Sequence, residues 1–154
     1  MTLTFVTTKE RPDLVHTTGT WRWEAFFQGG TVTHEEMLKR EIDGASVSEL
    51  MPTVLVMLEN EVPVAMSALC LDDLEGRPEL NPWLAGVYVD RPHRGRGHGA
   101  RMIAELESLA RREGILRLTL YTSHAAGFYM KSGWATIETF ENTGRTYSIM
   151  QKGL

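Results

Sequence analysis

Apolar residues along the chain follow two different spacings, and each spacing predicts one kind of element. Intervals of three and four residues predict amphipathic helices at 13–27, from 33 past Gly44 towards Leu50, at 97–113 and at 125–131. Short apolar runs bounded by turn residues predict strands at 3–7, 53–58, 62–71, 83–89, 115–122, 134–140 and 146–151. This order predicts a mixed α/β fold, in which the strand–helix–strand unit at 83–122 pairs its strands in parallel through a right-handed crossover.

Local signals support several of these boundaries. Thr33 is a good N-cap, and Glu36 three residues later completes a capping box. Gly114 suits the position just after a helix, where a left-handed backbone is common. Glu107 and Arg111 have the spacing of an outward-facing ion pair on the third helix.

Composition narrows the class of protein. The chain has 154 residues, of which 42% are hydrophobic, and we expect one domain over residues 1–154. A formal net charge of −4 argues against a partner that is a nucleic acid. No apolar run approaches the roughly 20 residues of a membrane helix, and the first residues do not read as a secretory signal, so we expect no membrane partner. The single Cys70 is expected in the core of a cytoplasmic protein.

The stretch from Val87 to Ala100 carries the clearest chemistry. An apolar strand ends at Asp90, a loop with three glycines and three arginines follows, and an amphipathic helix begins directly behind it. Glycines let backbone N–H groups approach a phosphate, and a helix start adds unpaired N–H groups and a positive dipole end. The loop therefore predicts a site for a small anionic ligand.

Three other interpretations of this loop are weaker. A P-loop needs Gly-Lys followed by Ser or Thr, and 97–99 contains neither the lysine nor the hydroxyl. A dinucleotide site matches Gly95, Gly97 and Ala100, but an arginine-rich segment precedes the first glycine and 120–122 supplies no acid for the ribose. A solvated basic turn without a ligand is the remaining alternative.

Two signatures together resemble the GNAT N-acetyltransferase superfamily. Residues 89–99 have the form V-x-x-x-x-R-x-x-G-x-G, which resembles the acetyl-CoA signature of that superfamily. Residues 125–134 have the form A-x-x-F-Y-x-x-x-G-W, which resembles its second signature. The resemblance implies the GNAT acyl-CoA N-acyltransferase fold, with a mixed central sheet flanked by helices. It also implies an acyltransferase that moves acetyl from acetyl-CoA directly to a primary amine in a ternary complex.

The resemblance also implies roles for particular residues. The backbone of the strand end would pair with the pantetheine arm, one N–H near Val89 would stabilise the oxyanion, and the loop would surround the pyrophosphate. Tyr129 occupies the position of the tyrosine that donates a proton to the departing thiolate, and filling the sheet–helix interface is its alternative role. The cofactor-binding residues expected on this basis are Val87, Tyr88, Val89, Arg94, Gly95, Arg96, Gly97, His98, Gly99, Ala100 and His124.

Other parts of the reaction stay open. Many relatives carry a glutamate on the strand before the glycine loop, but 83–89 contains no carboxylate. Water relayed to a backbone carbonyl, to Glu79 or to Asp72 could take the proton, or His124 could act as the base. Capping or packing of the short helix is the alternative role of His124, with Ser123 the better simple cap. No metal ligand set is apparent, the acceptor is a small molecule or a peptide N-terminus, and a homodimer is left open. A non-catalytic CoA-binding module on the same fold is the rival function.

Overall fold

The computed structural model describes residues 2–154. Seven strands form one sheet: β1 (Leu3–Thr7), β2 (Thr53–Glu59), β3 (Val62–Cys70), β4 (Trp83–Val89), β5 (Arg117–Thr122), β6 (Ala135–Asn142) and β7 (Arg145–Gly153). Four α-helices accompany them: α1 (Val15–Arg22), α2 (His34–Ala45), α3 (His98–Arg112) and α4 (Ala126–Lys131). The strands and helices predicted from the hydrophobic pattern are therefore confirmed in number and order. The predicted first helix is divided into a 3₁₀ turn at Pro12–Leu14, α1, and a π-helical turn at Trp23–Phe27.

The sheet divides into two parts at its centre. Its strand order is β1-β2-β3-β4-β5-β7-β6, and every neighbouring pair is antiparallel except β4 and β5. These two strands are parallel, as the sequence predicts, but they pair only at Trp83 and Thr119. Beyond that point β4 and β5 separate, and a gap opens inside the sheet.

A bulge in β4 lies next to this gap. Met66 of β3 is paired with Tyr88, whereas Ala68 is paired with Ala85, so β4 contains one residue more than its partner. Gly86 lies within the bulge at a φ of +61°, a conformation that costs glycine little. A Cβ at Gly86 would lie 2.5 Å from Nη1 of Arg22, so glycine also allows this guanidinium to approach the strand.

The two faces of the sheet bury separate apolar clusters. α3 packs against one face through Met102, Ile103 and Leu106, all at most 1% exposed. The opposite face carries Leu14 over β2, and farther along it a cluster of Leu80, Trp83 and Ile149. Each large apolar side chain fully buried in this way contributes about 1.5–3 kcal/mol. The packing of α3 fixes where its N-terminus meets the end of β4.

The expected Glu107–Arg111 surface pair is wrong. Glu107 is buried, 5% exposed, and faces the sheet. Its carboxylate accepts hydrogen bonds from the indole of Trp134 at 3.2 Å and from the ammonium of Lys152 at 2.6 Å. Two partners far along the chain thus compensate the cost of burying the charge, which a helical spacing rule cannot anticipate.

Helix boundaries follow local chemistry. The Thr33 hydroxyl accepts a hydrogen bond from the Glu36 amide, so the predicted cap of α2 forms. The predicted extension of α2 towards Leu50 is wrong, because the chain turns at Ser46, whose amide and hydroxyl bond back to the last turn. Gly114 adopts a φ of +80° after α3, and Ile115 N donates to Ala110 O, which confirms the predicted helix end.

Candidate functional site

A cleft of about 880 Å³ lies where β4 and β5 separate. It is bounded by the end of β4, the glycine loop, the N-terminus of α3, the start of α4 and the π-helical turn. The residues that line it are Glu24, Ala25, Phe26, Gln28, Val87, Tyr88, Val89, Arg91, His93, Arg94, Gly95, Gly97, His98, Gly99, Ala100, His124, Ala125 and Phe128. The structure therefore brings together all the predicted site residues except Arg96 and Tyr129.

The glycine loop presents backbone N–H groups to the cleft. Gly95 and Gly97 have φ values of +78° and +79°, which other residues adopt only with strain. Gly97 is the N-cap of α3 and no side chain caps the helix, so the first N–H groups of α3 have no intrahelical partner. Gly99 follows on the first turn, and a Cβ there would lie 3.1 Å from Cζ of Phe128. These features together form a cradle for an anion.

Two arginines hold the loop in this shape. Arg94 Nε donates to the carbonyl of Val89 at 2.7 Å, and its guanidinium lies 5.4 Å from the ring centre of Tyr88. Arg101 Nη1 donates to the carbonyl of Arg96 at 2.7 Å. The loop is thus tied to β4 on one side and to α3 on the other, before any ligand binds.

A carboxylate that the sequence analysis missed lies behind the loop. Glu59 Oε2, at the end of β2, lies 3.4 Å from Nδ1 of His93 and 3.6 Å from Nε2 of His98. All three atoms are enclosed from solvent and none makes a hydrogen bond among the described residues. Arg96 Nη1 lies 3.6 Å from the other oxygen of Glu59, which explains why Arg96 faces away from the cleft. No local motif indicates this grouping, since residues 59–61 read only as a turn.

The π-helical turn supplies a wall that the sequence analysis also missed. Glu24, Ala25 and Phe26 lie in this turn and line the cleft, and Phe26 is 53% exposed. π-Helical turns often occur at functional sites because they redirect side chains. The only signal for this wall in the sequence is the density of aromatic residues before the glycine pair at 29–30.

Tyr129 lies in the core beside the cleft. It is 8% exposed and its ring lies 5.2 Å from the ring of Phe128 and 6.2 Å from that of Trp134. Burial raises the pKa of the phenol to about 12, so it stays protonated at neutral pH. Its hydroxyl makes no hydrogen bond to residues 2–154 and keeps some access to solvent.

The candidate bases of the sequence analysis have other contacts. Asp72 accepts a hydrogen bond from the Asn81 amide at 2.6 Å. Glu79 pairs with Arg77 at 2.8 Å, and this hydrogen bond lowers the pKa of its carboxyl. His124 lines the cleft, with Nδ1 3.2 Å from the Ser123 hydroxyl. The expected Ser123 cap is wrong, because no side chain caps α4; the Thr122 hydroxyl instead accepts from the amide of Ala125, the residue before the helix.

Two negative findings apply to residues 2–154. None of the helices in this range has the length and apolar character needed to cross a membrane. The same residues contain no group of three or more His, Cys, Asp or Glu side chains placed to hold a metal ion.

Comparisons with solved structures agree on the fold. An acetyltransferase of the GNAT family from Streptococcus pneumoniae shares 19% identity, with 99% of both chains covered and a TM-score of 0.71. An aminoglycoside 6'-N-acetyltransferase complexed with coenzyme A shares 12%, with 99% of this chain and 97% of that chain covered and a TM-score of 0.77. A Salmonella typhimurium protein solved with its cofactor acetyl-CoA shares 16%, with coverages of 99% and 94% and a TM-score of 0.72.

Sequence comparison identifies the family. No curated protein matches the sequence. The model of the acetyltransferase (GNAT) family matches residues 16–134, which is well over half of the chain and includes the cleft, the glycine loop and both signatures. The chain therefore belongs to the GNAT family of acetyltransferases.

Proposed function

We propose that the protein transfers the acetyl group of acetyl-CoA to a primary amine by direct attack within a ternary complex. The observation that carries this proposal is the cleft itself, in which an unpaired strand edge leads into an anion cradle. The structural relatives bound to coenzyme A or acetyl-CoA support the choice of donor.

The cradle suits the pyrophosphate of the donor. Two glycines with positive φ lie next to an uncapped helix N-terminus, where unpaired N–H groups and the helix dipole favour an anion. A side chain at Gly99 would crowd Phe128 at the edge of this space. Arg91 and Arg94 line the same cavity and add formal positive charge.

The exposed edge of β4 suits the pantetheine arm. Val87, Tyr88 and Val89 line the cleft, and β5 does not pair with them. Their free backbone groups can bond to the amides of the arm, as a neighbouring strand would. The arm would then run from the cradle towards the bulge at Gly86, and backbone N–H groups of β4 there would stabilise the oxyanion of acyl transfer.

Tyr129 is the proposed proton donor to the departing thiolate. A phenol with a pKa of about 12 is protonated at pH 7, and its hydroxyl is free of protein partners among residues 2–154. Its neighbour Phe128 lines the cleft, which supports a place for Tyr129 near the reacting atoms.

Acetyl-CoA turnover with a panel of amines tests this function. We expect release of free CoA that depends on both acetyl-CoA and a primary amine, with acetylated amine detected by mass spectrometry. Saturable binding of CoA without turnover on small amines, polyamines or peptides would instead favour a non-catalytic CoA-binding module.

A further inference from the structure

The geometry of β4 indicates where an acceptor would meet the donor. β4 and β5 are joined at Trp83 and Thr119 and separated beyond the Gly86 bulge, so the cleft ends near Gly86. A donor lying along Val87–Val89 would place its thioester at this end. The acceptor must then approach along the part of the sheet between Gly86 and Trp83. This placement rests on the proposed function.

Charged groups concentrate around that part of the sheet. Arg22 Nη1 lies against the Gly86 backbone, and Arg22 Nε pairs with Glu41 Oε2 at 3.1 Å. Both side chains are largely buried, at 15% and 5% exposure. The other oxygen of Glu41 is enclosed from solvent and has no hydrogen-bond partner among residues 2–154. A buried carboxylate oxygen without a donor is costly, and its negative charge favours a cationic ligand nearby.

The loop before β4 holds a second carboxylate beside Trp83, where β4 and β5 are joined. Asp72 accepts from the Asn81 side chain, and Asn81 in turn accepts from the indole of Trp83 at 2.7 Å. Leu74 packs on the cluster that contains Trp83. Asp73, between these two anchored residues, makes no hydrogen bond or ion pair within residues 2–154, so its carboxylate is available to a ligand.

The surroundings of Asp73 suit proton transfer. Desolvation by the surrounding protein raises the pKa of its carboxyl to about 7, and the positive charge of Arg22 opposes part of this rise. The residue as a whole is exposed to solvent. Asp73 in turn contributes to the raised pKa values of Cys70, about 11, and Tyr121, about 12, for which burial is the larger cause. Asp73 thus lies close enough to Arg22, Cys70 and Tyr121 for its charge to act on each of them.

Aromatic rings form the adjoining surface. The ring of Tyr121 lies 6.0 Å from that of Trp83, 5.9 Å from that of Phe140 and 5.8 Å from that of Tyr147. Tyr121, Phe140 and Tyr147 are each partly exposed. Aromatic faces favour flat apolar groups and nearby cations.

We propose that Asp73 binds the acceptor as an ammonium ion and removes one of its protons, and that the acceptor is a primary amine on a small aromatic body. The R–NH₃⁺ group gives one proton to the carboxylate and becomes a neutral amine. Its nitrogen forms the C–N bond as the C–S bond breaks. Tyr129 gives its proton to the departing thiolate and is reprotonated by the second proton that the nitrogen loses. Asp73 then releases its proton to solvent, so the net products are an amide, CoA–SH and H⁺.

The pH dependence of Asp73→Asn tests this role. With 2-phenylethylamine as acceptor, kcat/KM of the unmodified protein should rise with pH through about 7, as the Asp73 carboxyl ionises. Asp73→Asn should lower kcat/KM at pH 7 by roughly 10²–10⁴-fold and lose this inflection, while the KM for acetyl-CoA stays the same. Its activity should recover towards pH 10, where the free amine is abundant. Asp73→Glu should retain the inflection.

Glu75→Gln is the matched control, since Glu75 is an exposed acid in the same loop. An Asp73→Asn protein with activity within about twofold of the unmodified protein at pH 7 would overturn the role of Asp73. A preference of tenfold or more for spermidine over 2-phenylethylamine would overturn the substrate class.

A calorimetric measurement separates this inference from the proposed function. If no amine is acetylated, the proposed function fails, and binding of 2-phenylethylamine to the CoA-loaded protein still reports on Asp73. At least tenfold weaker binding by Asp73→Asn is expected. Equal binding by the two proteins would reject the site.

Discussion

Alanine at Gly97 should lower stability, whereas alanine at Gly99 should leave it unchanged or raise it, and both should weaken acetyl-CoA binding. Gly97 has a φ of +79°, so alanine there must adopt a left-handed backbone, which costs an L-residue about 1–2 kcal/mol. No atom lies within 3.4 Å of that Cβ, so the cost comes from the backbone alone. For a chain of this length, this loss lowers Tm by about 2–8 °C.

Gly99 lies in the first turn of α3 with ordinary helical geometry. Alanine there gains up to about 1 kcal/mol of helix propensity, offset in part by the Cζ of Phe128, 3.1 Å from the new Cβ. The Tm should therefore stay the same or rise by up to about 4 °C. Both variants keep the backbone N–H, but the added Cβ displaces the phosphate from it. Loss of one charge-assisted hydrogen bond, about 1.5–3 kcal/mol, weakens binding about 10- to 150-fold.

Thermal unfolding and calorimetric titration with acetyl-CoA measure the two effects separately. Gly114→Ala is the matched control, because Gly114 has a φ of +80° and open space around it at the far end of α3. It should lose stability as Gly97→Ala does, yet bind acetyl-CoA normally. Full acetyl-CoA affinity in folded Gly99→Ala would refute the placement of the pyrophosphate at this helix N-terminus.

Three further variants test other contacts of the site and core. Tyr129→Phe should lower kcat by roughly 10²–10⁴-fold with little change in acetyl-CoA affinity, as expected when a proton donor is lost; an unchanged kcat would remove this residue from the mechanism. Glu107→Ala leaves the Lys152 ammonium and a buried indole N–H without their acceptor, so the free energy of unfolding measured in urea should fall by about 3–5 kcal/mol, and a fall below about 1 kcal/mol would contradict the buried ion pair. Arg94→Met removes the hydrogen bond to the Val89 carbonyl and a positive charge at the cleft, and calorimetry should show acetyl-CoA binding weakened by about 10- to 100-fold, whereas unchanged binding would show that the loop keeps its shape without this tie.

The order of the elements and the residues of the glycine loop could be predicted from sequence, because both depend on local signals. Strand and helix periodicities identify all seven strands, and Gly95, Gly97 and Gly99 behind an apolar strand indicate the loop that lines the cleft. Glycine requirements arise from backbone geometry within a few residues, so they are visible in a short stretch of sequence.

Contacts between distant segments could not be predicted in the same way. Glu107 reads as a surface residue until the fold brings Lys152 to it, and Glu59 reads as a turn residue until His93 and His98 lie against it. Asp73 likewise looks like one of several loop acids, and only the fold places it in the region of Arg22 and Tyr121. Burial and long-range charge pairing decide these roles, and neither has a fixed spacing in the chain.

The separation of β4 and β5 gives the sheet two interior edges in addition to its outer edges at β1 and β6. Each interior edge exposes unpaired backbone groups of the kind that recruit strands from other molecules. A bound pantetheine arm would occupy the β4 edge, so acetyl-CoA would act as a protective strand as well as a substrate. The ligand-free protein is therefore expected to be the more aggregation-prone form, and to be stored best with CoA present.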